Sequence, residues 1–129
     1  MKKILTALLC LLGFVSCSHA RSGSIKTVSA EEFAQLIKAD SVVLVDVRTA
    51  DEFGAGHIDG SVNIDVLKDG FAKAASSALP KGKTIAVYCR SGKRSMTAAN
   101  MLAKKGYRVV NLRGGWIEWT EFMGKRQGR

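Results

Sequence analysis

The sequence holds little proline, histidine or cysteine: one Pro, two His and three Cys in 129 residues. The single Pro80 excludes proline-rich linkers, and together with 13 Gly it implies short, glycine-punctuated connections between regular elements. There is no low-complexity tract and no internal repeat, which excludes solenoids and arrays. Three cysteines cannot build a disulfide framework. A zinc site needs several Cys or His ligands at set intervals; a chain processed after the first apolar run offers only Cys89, His57 and, depending on the cut, His19, so no metal or other cofactor is expected. The longest apolar run, Ile4 to Val15, is interrupted by Thr6 and Gly13 and falls short of the roughly 17–25 residues of a membrane span. Domains usually occupy about 100–150 residues, so the chain holds one core and is expected to fold as a monomer.

What the N-terminus does have is the pattern of an export leader. Lys2 and Lys3 form a basic start, the apolar run follows, and small or polar residues close it at Ser16 to Ala20. Two processing patterns fit. Ser18-His19-Ala20 suits an ordinary signal peptidase and gives a soluble chain from Arg21, whereas Phe14-Val15-Ser16-Cys17 resembles a lipobox and makes Cys17 a lipidated N-terminus. The second is favoured, because a cysteine directly after an apolar leader has little other use. The expected organisation is a leader at 1–20, a linker at 21–27, a domain at 28–123 and a basic tail at 124–129. The expected location is exported, either periplasmic or as a membrane-anchored lipoprotein.

The formal net charge is +9, and loss of Lys2 and Lys3 leaves the chain basic. Such a chain attracts anions. Nucleic acid is not the expected partner, because the basic residues are thinly spread except at Arg90–Arg94 and at Lys125–Arg129, and the latter reads as a solvated end. Cys10 falls in the leader and Cys17 is lipidated or removed, so Cys89 stands alone. An unpaired thiol in an oxidising compartment is exposed to oxidation and requires a reason.

Hydrophobic patterning predicts alternating strands and helices. Ser29-Ala30-Glu31-Glu32 has the form of a capping box, opening a helix over about 29–39 with Phe33, Leu36 and Ile37 on its apolar stripe; a possible edge strand precedes it. Ser41 to Val47 reads as a buried strand, Ala50 to Gly54 as a helical turn, Val62 to Ile64 as a short strand, and Gly70 to Leu79 as a helix stopped by Pro80. Thr84 to Tyr88 is a second buried strand, Cys89 to Arg94 a loop, Ser95 to Lys105 a helix closed by Gly106, and Arg108 to Leu112 a strand. Gly114-Gly115 then opens a last helix carrying Trp116, Ile117, Trp119 and Phe122. This order predicts an α/β domain of three layers, with a central, largely parallel sheet and helices on both faces. Ligands of such sheets sit at the carboxyl ends of the strands, where Cys89 lies.

Cys89-Arg90-Ser91-Gly92-Lys93-Arg94 joins a buried strand to the amino end of a helix. The first helix amides lack intrahelical partners and the helix dipole adds positive character, so a loop wrapped there makes an anion cradle. Gly92 permits tight curvature, while Arg90, Lys93 and Arg94 add formal charge. Helix amino ends and nearby cations lower a cysteine pKa from about 8.5 to about 3.5–7.5 and expose the nucleophilic thiolate. A lone cysteine at a strand end is more often a small buried hydrophobe, but three cations and a glycine are poor company for an inert core thiol. A nucleotide-binding P-loop is excluded by spacing: Val87 stands where its first Gly belongs, and Arg94 follows Lys93.

These residues resemble the rhodanese family. Asp46-Val47-Arg48, Glu52-Phe53 and Gly56 through Ile64 are similar to its first signature, Val87 through Ser95 to its active-site loop, and Gly106-Tyr107 with Leu112 through Trp116 to its closing segment, over about residues 27–122. The resemblance implies a sulfurtransferase that moves sulfane sulfur from thiosulfate or a similar small anionic donor to cyanide or a thiol through a Cys89 persulfide. It also implies that the segment Arg90, Ser91, Gly92, Lys93, Arg94 and Ser95 binds the substrate, with the amides of Arg90 through Arg94 around the persulfide. A sulfane-sulfur carrier that delivers sulfur to a protein partner is the alternative. Phosphatases and arsenate reductases of the same family have a loop one residue longer, and an inactive interaction domain would lack the nucleophile. Asp46, Arg48 and His57 are expected to act as caps and salt-bridge partners, and Trp116, Trp119 and Phe122 as packing. Arg113 is left without a role.

Overall fold

The computed structural model describes residues 23–128; the expected leader, Cys10, Cys17 and the first residues of the expected linker lie outside the described residues. Strand β1 (Ser24–Val28) leads to helix α1 (Ala30–Leu36), β2 (Val42–Asp46), α2 (Ala50–Ala55), β3 (Val62–Asn63) and α3 (Phe71–Ala78). Then follow β4 (Thr84–Tyr88), α4 (Lys93–Lys104), β5 (Arg108–Leu112) and α5 (Gly115–Arg126). All strand pairs are parallel and the sheet order is β1-β5-β4-β2-β3, so β4 is central. The α/β reading holds.

Alternation along β4 divides the core. Ile85, Val87 and Cys89 join Phe71, Ala75, Ala98, Ala99 and Leu102 beneath α3 and α4, while Ala86 and Tyr88 join Phe33, Val110, Leu112 and the aromatic side chains of α5 on the opposite face. Both faces of β4 are therefore buried, which explains why its sequence is continuously apolar rather than alternating. From β2 the chain runs outward to β3; from β4 it runs the other way to β5. The crevice between the carboxyl ends of β2 and β4 is the switch point at which ligands of such sheets bind.

Three boundaries and one capping box differ from expectation here. The sheet begins at Ser24, inside the stretch expected as linker, because β1 pairs with β5 along its whole length. Helix α1 ends at Leu36 rather than at residue 39. Its Ser29 hydroxyl accepts from the Glu32 amide as expected, but the reciprocal half of the capping box is missing, since Glu32 turns to Lys26 at 3.1 Å. The complete capping box belongs instead to α2, between Thr49 and Glu52. At the C-terminus, α5 continues through Arg126 into the expected tail, and the Arg126 guanidinium lies 5.6 Å from the Phe122 ring centroid.

Candidate active site

Cys89 follows directly on β4, and the chain then turns back over it. Gly92 makes the turn at φ +100°, a left-handed conformation, and a Cβ there would lie 2.1 Å from the Arg113 carbonyl oxygen. Glycine is required twice over. Because the turn is complete at Gly92, α4 begins at Lys93 rather than at Ser95, and Lys93 and Arg94 belong to its first turn.

The Gly92 amide donates to the Cys89 Sγ at 3.1 Å. Cys89 is fully buried, and burial pushes its thiol up; hydrogen bonds from Ser95 and from the Ser91 and Gly92 amides outweigh that and hold it below its ordinary value. Among the amides of the loop, that of Gly92 makes the direct contact to the sulfur. The Ser95 hydroxyl has one proton, and in this arrangement it is directed at Asn111 Oδ1, 2.6 Å away and also buried. The Ser95 contribution to the sulfur in this state therefore rests on its backbone amide, the hydroxyl contributing only after rotation.

Arg94 does not stand free to attract a donor. Its guanidinium makes two parallel hydrogen bonds to Glu52, at 2.8 and 2.9 Å, and the pair is largely shielded from solvent. This corrects its expected part in drawing in the anion: the carboxylate that α2 presents has already neutralised it. The hydrogen bond from Arg94 holds the Glu52 carboxyl down to about 2. Arg90 and Lys93 are exposed and form no ion pair among the described residues. They remain as the formal charges facing solvent.

The first signature packs beside the loop as a structural unit. Asp46, fully buried at the end of β2, accepts from the Arg48 amide at 2.9 Å and from its guanidinium at 2.6 to 3.1 Å. Burial disfavours the Arg48 charge, but the hydrogen bond and attraction of Asp46 more than restore it. The same guanidinium donates to the Gly56 carbonyl at 2.6 Å and lies 5.0 Å from the Trp116 ring centroid. His57 is exposed, stacks on Phe53 and places Nδ1 2.8 Å from the Phe53 carbonyl oxygen. Tyr88 donates no bond to the loop; its hydroxyl accepts from the Ile58 amide at 2.9 Å, and burial pushes it up to about 12. Arg113, exposed, pairs with Glu118 at 3.0 Å. Trp119 and Phe122 pack against the core as expected, with Trp119 edge-on to Phe33.

A cavity of about 380 Å³ flanks the loop, bounded by Arg48, Glu52, Gly56, Arg90, Trp116 and Ile117; Cys89 is not in its lining. A larger one of about 570 Å³, bounded by Ile37, Ile58, Trp119 and Met123, contains no residue of the loop. The smaller is the one that adjoins the chemistry. What sequence reasoning missed is the contribution of α5: the Trp116 amide donates to the Cys89 carbonyl at 2.8 Å and the Ile117 amide to the Arg90 carbonyl at 3.1 Å. The paired glycines Gly114-Gly115 were the available signal.

Comparison with known proteins gives a consistent result. Residues 29–122 match the rhodanese-like domain family. A sulfurtransferase of Allochromatium vinosum is 36% identical over 98 residues, covering 74% of this chain and 89% of that protein. Thiosulfate sulfurtransferase GlpE of Shewanella oneidensis is 33% identical over 99 residues, covering 76% and 95%. Among solved structures, a rhodanese-related protein from Thermoplasma volcanium superposes with a TM-score of 0.66 at 29% identity, over 75% of this chain and 92% of that one. The loop, the sheet order around it and these matches agree, and the chain belongs to the rhodanese-like domain family.

Proposed function

We propose that this protein is a sulfurtransferase that carries sulfane sulfur on Cys89. The observation that carries the reading is the Gly92 amide aimed at the sulfur at 3.1 Å, within a turn that starts a helix. A thiolate is stabilised there without a neighbouring base, because fixed amide dipoles take the place of water. With thiosulfate, the Cys89 thiolate attacks the outer sulfur; the sulfur–sulfur bond breaks, its electron pair leaves with sulfite, and a persulfide remains. Cyanide then attacks the outer sulfur, releasing thiocyanate and restoring the thiolate. Exposed Arg90 and Lys93 favour an anionic donor.

A second reading has an observation of its own. The complete burial of Cys89 favours a carrier that holds its sulfur for a protein partner rather than one that turns over small molecules quickly. The deciding experiment combines intact mass and turnover. The parent should gain the mass of one sulfur atom on exposure to thiosulfate, and Cys89→Ala should not; rapid thiocyanate release supports the enzyme, loading without turnover supports the carrier, and a loaded Cys89→Ala protein would defeat both.

We further propose export with a lipid anchor at Cys17. The support is the basic start at Lys2-Lys3, the apolar run to Val15 and the lipobox-like Phe14 to Cys17. Among the described residues no helix is long and apolar enough to cross a membrane. Intact mass of the membrane and soluble fractions tests this, since an anchored chain carries acyl mass at its N-terminus.

A further inference from the structure

A peptide group points its carbonyl and its following N–H in opposite directions. Whatever holds the outward carbonyls of a loop therefore also aims its amides inward. Two carbonyls of the sulfur loop are held from outside by α5: Cys89 O by the Trp116 amide at 2.8 Å, and Arg90 O by the Ile117 amide at 3.1 Å. These are first-turn amides with no acceptor inside their own helix, the first intrahelical bond being Glu118 N to Gly114 O. The peptide that ends in the Arg90 carbonyl carries the Ser91 N–H on its other side, and the peptide that ends in the Cys89 carbonyl carries the Arg90 N–H.

The approach is close enough to demand glycine. Gly115 sits at φ +60°, and a Cβ there would lie 2.5 Å from the Cys89 carbonyl oxygen and 2.6 Å from the Arg90 carbonyl carbon and oxygen. Two residues earlier, the Arg113 carbonyl presses on Gly92, the residue whose amide reaches the sulfur. Segment 113–117 thus touches the loop at Cys89, Arg90 and Gly92. From the other direction, Trp116 is held by the Arg48 guanidinium, itself fixed by Asp46.

We propose that the start of α5 is a brace that sets the polarity of the sulfur cradle: the Trp116 and Ile117 amides orient the loop peptides, and Gly115 permits the contact. Gly115, Trp116 and Ile117 are positioning residues, acting on the thiol through the loop backbone. The inference rests on the reading of Cys89 as a thiolate nucleophile. It also assigns a use to the buried Asp46-Arg48 pair, which reaches the brace through Trp116.

The test is the pH midpoint of Cys89 alkylation by iodoacetamide. Ile117→Pro removes the amide at a first-turn position that tolerates proline, whereas Ile117→Ala removes the exposed side chain and keeps the amide, so their difference reads the loss of that N–H together with the ring that replaces it. The Pro variant should titrate about one pH unit above the Ala variant, the shift expected from weakening one amide contact to a charged sulfur. Equal midpoints in two folded variants overturn the brace. Should the Pro variant fail to fold, amide resonances of the unmutated protein decide: the Trp116 and Ile117 signals must titrate with the Cys89 midpoint, and signals flat across that midpoint overturn the proposal. A parent thiol that titrates in the ordinary range would instead count against the nucleophile itself, so the two failures are distinct.

Discussion

Arg94 and Glu52 face each other fork to fork, at 2.8 and 2.9 Å, and tie the first turn of α4 to the first turn of α2. Glu52 serves two elements at once, because its Oε1 also accepts from the Thr49 amide in the capping box of α2. The helix that begins under the sulfur loop and the helix of the first signature are thereby held in register by one carboxylate.

The pair should give the protein an acid-sensitive limb. A carboxyl lowered from 4.5 to about 2 stabilises the fold above its unfolded value and loses that contribution as pH falls from about 4.5 to about 2. Glu52→Gln should cost about 1–2 kcal/mol at neutral pH, between the ranges for exposed and buried ion pairs. It should also flatten the loss of stability on acidification. Thermal melts of both proteins across that pH range check this; a variant as steep as the parent would assign the limb to other groups.

Asp46 and Arg48 form the most deeply buried ion pair described, with side chains 0% and 4% exposed. Asp46→Asn leaves the guanidinium without its countercharge and should cost about 3–5 kcal/mol in urea unfolding. Replacing both, Asp46→Leu with Arg48→Met, should recover part of the loss, because two desolvated charges vanish together. A loss in the single variant no larger than that of a surface substitution would show that the pair is better solvated than its geometry indicates.

Gly92→Ala should fail for two separable reasons, the left-handed backbone and the clash with Arg113 O. The backbone alone costs about 1–3 kcal/mol in a non-glycine residue. Sulfur loading, corrected for the folded fraction, should fall as well, since the Gly92 amide cannot keep its 3.1 Å contact if the turn opens. Full loading with reduced stability would separate the turn from the cradle.

Cys89 should alkylate with a midpoint below the ordinary cysteine value in the folded protein, and at that ordinary value in denaturant. Absolute rates in the fold should be slow, because the side chain is buried. Slow rates with an unshifted midpoint would mean that the amides do not favour the thiolate over the thiol.

The middle of the sheet was readable because β2 and β4 are apolar runs, and because buried parallel strands need no alternation. Cys89 and its neighbours were readable as a local motif: one thiol, three cations and a glycine between a strand and a helix. What stayed hidden was long-range. Nothing near Arg94 in sequence shows that Glu52, 42 residues away, takes its charge. The pairing of β1 with β5 spans most of the domain, so the edge strand before α1 could be expected from the sequence but not its start at Ser24 or its partner. Gly114-Gly115 was visible as a helix start, but the carbonyls it approaches belong to another element, and only the assembled fold brings them together.

The side-to-side placement of β4 residues has a further consequence. Odd-numbered positions Ile85, Val87 and Cys89 share one side, even-numbered Ala86 and Tyr88 the other. The nucleophile is thus indexed by the hydrogen-bonded ladder itself, and deleting a single residue from this strand would carry the sulfur through the sheet to the tyrosine side, where no turn of amides awaits it.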